Sequence, residues 1–181
     1  MKAHKFLASG GHGPFSGFAW PLPAGDEPGA WVTAEGRLAP CARGVHVCRA
    51  DDLAHWIHDE LWEVETSGES IEGTDCLIVR GARLVRRIDS WAEGRHGFAL
   101  ACIDHALAEA GAGAAGAVRD LLEDARQMVG YGYPSLAAYT AAVAVGRARG
   151  GDPASTFRDE RAWQSAWIAR HCVGAPASIQ S

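Results

Sequence analysis

GVHVCRADDLAHWIHDELWEVE, residues 44–65, decides how the first half of the chain folds. Val45 and Val47 alternate with His46 and Cys48, the period of a short strand, so His46 and Cys48 share one strand face. Asp51 or Asp52 then stands where a helix N-cap belongs, ahead of Leu53, Trp56 and Ile57, and predicts a helix over 53–60. A second alternating run covers 61–66, with Leu61, Glu63 and Glu65 on one side and Trp62 and Val64 on the other. Titratable groups are thus gathered on short elements, where a site can be built.

On either side of this stretch the pattern separates two halves. Strands are expected at 2–8, 18–20, 31–33, 76–79 and 83–88, and a Gly-rich loop, SGGHGPFSG, begins at Ser9. Beyond residue 92 the chain turns Ala-rich with helical spacing, and helices are expected over 97–110, 114–129, 136–149 and 156–172. Gly111, Gly113, Gly130, Pro134 and the Gly150-Gly151-Asp152-Pro153 run separate them. The pattern predicts an α+β protein: a β-rich part at 1–92 with a mixed or antiparallel sheet, packed on a helical bundle at 93–181. The bundle reads as packing without chemistry of its own.

Composition narrows the function. A net charge of −5 argues against a protein that coats nucleic acid, because that affinity comes from clustered Lys and Arg. The one basic cluster, Arg80, Arg83, Arg86 and Arg87, lies in a strand-like run and reads as a solvated face. No apolar stretch reaches the ~20 residues of a membrane helix, and the start MKAHKFLASGG has no signal core, so a cytoplasmic location without membrane contact is expected. Five cysteines without repeated spacing read as free thiols. The Ala, Gly and Arg content is that of a high-GC bacterial gene.

Several constellations compete for chemistry. Cys41, His46 and Cys48, with His55 and His58 nearby, are soft ligands, but the C-x6-C spacing lacks a second pair and no metal is expected. Cys48 beside Arg49 could be activated, yet His46 is about 7 Å away along the strand and a buried, inert thiol is expected. The loop Ser9-Gly10-Gly11-His12-Gly13 does not open a helix, which a phosphate loop requires. Glu63 and Glu65 share a strand face and act as bases only if packing buries one of them.

Two resemblances follow from these residues. GVHVC, a helix, ELWEVETSGE and an apolar strand resemble a family of uncharacterised phage and actinobacterial proteins with a glycine–apolar–His–small–Cys element, over residues 2–91. That family implies no activity. The same order is similar to the ADP-ribosyltransferase fold of the PARP type. Gly44-Val45-His46-Val47 stands in place of its G-I-Y-F strand and residues 54–56 in place of its helix. Asp75-Cys76-Leu77-Ile78-Val79 stands in place of E-Y-I-V-Y, with Ala82-Arg83-Leu84 in place of A-Q-V.

The second resemblance implies an NAD-linked, nucleotide-binding protein. His46 takes the place of the tyrosine that stacks on nicotinamide, and Trp56 joins it in the pocket wall. Asp75 or Glu65 takes the place of the catalytic glutamate, and His12-Gly13, or His4, that of the early His-Gly that holds the adenosine ribose. Both catalytic positions are changed, so the resemblance fits altered or lost catalysis as well as an active transferase. Two other classes remain open: a non-catalytic module that binds a protein partner, toxin-neutralising or phage-related, and a small metal-dependent enzyme using Cys41, His46 and Cys48. Placement of His46 and Asp75 in one cleft favours the transferase; burial of both in a closed core favours the interaction module.

Overall fold

The computed structural model describes residues 2–111, 114–149 and 152–174. The first half forms an antiparallel sheet from β1 (Lys2–Leu7), β2 (Val32–Thr33), β3 (Val45–Val47), β4 (Glu60–Glu72) and β5 (Leu77–Arg87). Among the described residues the second half forms four helices, α1 (Asp89–Ala110), α2 (Gly116–Gly130), α3 (Pro134–Ala148) and α4 (Pro153–Ile168), the last running into a π-helical turn, Ala169–Val173. The architecture is α+β, as the sequence pattern requires, and every strand pair is antiparallel.

The long β4–β5 hairpin is the spine. β1 pairs with the outer edge of β4, while β2 and β3 lie end to end on the other edge of β5. Register shifts at Glu63/Val64 and Ser67/Ser70 sharpen the twist of the hairpin. The sheet curls until Cys48, one residue past β3, exchanges hydrogen bonds of 2.9 and 2.7 Å with His4 on β1. Gly44 makes the entry to β3 at φ 134°, where a Cβ would lie 2.2 Å from Ile78 Cγ2.

One apolar core joins sheet and bundle. Phe6, Leu53, Leu61 and Trp91 pack with Phe98, Leu122 and Ile168. Aromatic rings run through it, Phe6 to Trp91 at 5.2 Å, Trp91 to Phe98 at 5.7 Å and Phe98 to Trp167 at 5.5 Å. Residue 92 falls in the first turn of α1, between two members of this series.

Some elements differ from the sequence expectation. The helix expected at 53–60 is a 3-10 helix, Ala50–Trp56, because Asp52 reaches back to Arg49: its carboxylate accepts from Arg49 N at 3.4 Å and Arg49 Nε at 2.5 Å. The strand expected at 18–20 is a loop in which Ala19 bridges to His12. The two strands expected at 76–79 and 83–88 are one, since Gly81 lies opposite Ser67 and continues the pairing. α1 begins at Asp89, where Ser90 Oγ donates to Cys172 O at 2.7 Å and ties its first turn to the end of the bundle.

Candidate functional site

β1 and the β3 segment are held together at His4 and Cys48, and an antiparallel ladder would next pair Phe6 with His46. Instead the main-chain oxygen of His46 accepts from the side chain of Lys5, Nζ to O 2.7 Å. The two strands part here, and a cavity of about 660 Å³ opens between them. That volume suits a small organic ligand. Its walls come from β1 (Lys5, Phe6), the loop after it (Gly13, Phe15, Phe18, Trp20), β3 (His46, Val47) and the end of the 3-10 helix (Trp56).

Aromatic rings dominate the lining. Phe15 meets Trp56 edge to face at 6.3 Å, and Phe18 meets Trp20 at 5.9 Å. Phe15 is 88% exposed although it is a large apolar side chain, so the loop holds an uncovered ring at the cavity. The Gly-rich loop is folded by carboxylates of the same chain: Gly10 N and Gly11 N donate to Glu60 at 3.0 and 3.2 Å, and Ser9 N to Asp59 at 3.1 Å. The amides that a phosphate loop would offer to a ligand are therefore already engaged.

His46 is half-buried, and the main chain holds its ring: Cys41 N donates to Nε2 at 3.3 Å. Nε2 is thus the acceptor and the imidazole is neutral. Burial lowers its pKa, and the nearby Lys5 charge lowers it further. Lys5 itself is pushed down by burial, and its ammonium lies 5.0 Å from the centroid of the Trp20 ring.

The two buried thiols at the cavity, Cys48 and Cys76, are not activated. Burial pushes Cys48 up to about 12 and raises Cys76 as well, so both remain protonated at neutral pH. Cys41 is exposed, on a loop residue at φ 56°, and its amide already engages His46 Nε2. Among the described residues no group of three His, Cys, Asp or Glu side chains is placed to hold a metal ion.

The structure therefore unites part of the expected site and separates the rest. His46, Trp56 and Gly13 line one cavity. His12 is exposed beside the loop, with its ring Nδ1 3.3 Å from Ser9 O. Asp75 lies in the β4–β5 turn, half-buried, and meets Trp56 through its main-chain oxygen, 2.6 Å from the indole nitrogen. Glu65 pairs with Arg83 at 2.6 Å on the ribbon of cross-strand ion pairs that also joins Glu63 to Arg86 and Glu69 to Arg80. Neither carboxylate is among the described lining residues. His46 and Asp75 are thus neither across one cleft nor sealed in a core.

Lys5, Phe15, Trp20 and Cys76 belong to the cavity and were not singled out by sequence pattern. For Lys5 a signal existed: it is two residues from both Ala3 and Leu7, whose side chains are buried on the same strand face, so a lysine stands at an apolar position of β1. A second polar cluster lies in the bundle, where Glu160, Arg161, Gln164 and Ser165 are all buried along α4. Arg161 donates to Gln164 at 2.7 Å and to Ala54 O, and Glu160 faces His105 at 2.9 Å. These groups are used in docking α4 to the 3-10 helix and α1. Comparison of the chain with family models, curated proteins and solved structures finds no match, so the fold and the cavity alone carry a functional reading.

Proposed function

We propose that the protein binds a nucleotide, or another small ligand with a flat aromatic ring, in the cavity beside His46, and that it does so without group transfer. The observation that carries this reading is the convergence of His46 and Trp56, from β3 and the 3-10 helix, on one aromatic-lined cavity. Flat rings gain from edge and face contacts with such walls, about 0.5–1.5 kcal/mol per ring pair beyond the area buried. NAD is the ligand that the ADP-ribosyltransferase resemblance names, with His46 at the nicotinamide. Transfer of ADP-ribose would need a carboxylate at the reacting ring. The described lining contains neither Asp nor Glu, and this favours binding over catalysis.

Titration of the purified protein with NAD tests both halves. Trp20 and Trp56 at the cavity give an intrinsic fluorescence signal. Saturable quenching with a rise in melting temperature is expected, since a ligand of the folded state stabilises it by mass action. Nicotinamide should not be released on prolonged incubation. A flat titration with NAD, adenosine, nicotinamide and nicotinate alike would refute the binding reading, and release of nicotinamide would refute the loss of catalysis.

A further inference from the structure

Lys5 is a cation in an apolar place. On β1 it shares a face with Ala3 and Leu7, which are 2% and 0% exposed. An ammonium carries three donors. One goes to His46 O at 2.7 Å, and the face of Trp20, 5.0 Å away, compensates part of the charge. No Asp or Glu among the described residues lines the cavity to neutralise it. Lys5 is half-buried among apolar side chains, where an ion without a counter-ion loses hydration, and a ligand that brings the opposite charge relieves that cost.

We infer that Lys5 is the anion contact of this cavity and that the ligand is a flat aromatic acid whose carboxylate lies against Lys5 Nζ. This rests on the proposal that the cavity takes a ring, and it specifies the ring's substituent. A carboxylate fits better than a phosphate. Phosphate sites gather several donors from Arg side chains or from main-chain nests. Here Lys5 is the single Lys or Arg among the described lining residues, and the nearest run of main-chain donors, at Gly10 and Gly11, is taken by Glu60. The balance of one cation against several aromatic walls matches one negative charge on one ring. Burial depresses the Lys5 pKa, and a bound carboxylate favours the charged amine and raises it again.

Nicotinate and nicotinamide carry the same ring and differ in charge, and ligand-observed NMR on the full chain reads their binding even when it is weak. Wild type should bind nicotinate at least tenfold more tightly than nicotinamide. Lys5→Met keeps the unbranched apolar stem and should abolish that preference while retaining a cooperative melt; Lys5→Arg should keep part of it. Equal binding of the two rings by wild type, or a preference that survives in Lys5→Met, would overturn the inference and leave the ring-binding proposal standing. Displacement of nicotinate by inorganic phosphate at similar concentration would overturn the choice of carboxylate. Absence of binding by both rings and by NAD would remove this inference together with the proposal beneath it. Should Lys5→Met fail to fold, Lys5→Gln takes its place with the same two outcomes.

Discussion

Ala54 N donates to Ser165 Oγ at 3.0 Å, joining the 3-10 helix to α4 across 111 residues. The carbonyl of the same residue accepts from Arg161, so both polar main-chain groups of Ala54 are satisfied by one helix. Both partners are buried, Ser165 at 0% and Arg161 at 5% exposure, and water cannot replace either. This contact couples the wall that carries Trp56 to the helical bundle. Ser165→Ala should therefore cost about 1–3 kcal/mol, the penalty of leaving a buried donor without an acceptor. Urea denaturation of the variant against wild type measures it, and a difference within error would show that Ala54 finds another acceptor.

The core that crosses residue 92 leads to a second expectation. A fragment ending there would expose Phe6, Leu53, Leu61 and Trp91, which now pack against Phe98 and Ile168. Exposed apolar area of that kind drives association. The 1–92 fragment is expected to aggregate. A monomeric fragment with a cooperative melt would show that the sheet folds alone.

Stability should fall on mild acidification. Burial lowers the pKa of His4, His46 and His55 below the ordinary 6.5. As pH falls below 6.5 the unfolded chain takes up protons that the folded chain still refuses, so stability drops until the folded values are passed. Glu160 works in the opposite sense, since burial raises its pKa and the folded state keeps its proton above 4.5. His4 is the cleanest probe, because its Nδ1 is buried with no partner among the described residues. His4→Leu should flatten the fall in melting temperature between about pH 7 and 5.5. An unchanged slope would assign the acid sensitivity to His46 and His55.

Much of this fold is legible in the sequence, and the exceptions share a cause. β1, β3 and the first half of β4 follow from the strand pattern, whereas the continuation of β4 to Glu72 and the joining of 76–79 with 83–88 into β5 do not; α2 and α3 follow from apolar spacing and their Gly and Pro breaks. The start of α1, 89–96, lies ahead of the helix expected at 97–110, and contacts with distant residues support it: Trp91 donates to His58 O at 2.9 Å and Ser90 reaches Cys172. Nothing in the local pattern marks Glu160, Arg161, Gln164 and Ser165 as buried, and they are buried because Ala54 and His105 supply partners far along the chain. The site is split for the same reason. His46, Trp56 and Gly13 come to one cavity through short elements, whereas Asp75 and Glu65 are drawn away by a turn and by Arg83. The loop that brings Phe15 to Trp56 is folded by Glu60, some fifty residues on.

His46→Ala tests the central claim most directly, with NAD affinity and melting temperature read on the same samples. The imidazole accepts from Cys41 N, an exposed main-chain donor that water can satisfy, so its loss should leave the melting temperature nearly unchanged. Removal of a ring from the cavity wall should weaken NAD binding by about 1–2 kcal/mol, roughly 5- to 30-fold. A large fall in melting temperature in the variant, with no NAD binding by wild type, would make His46 a structural residue and contradict the ligand-binding account.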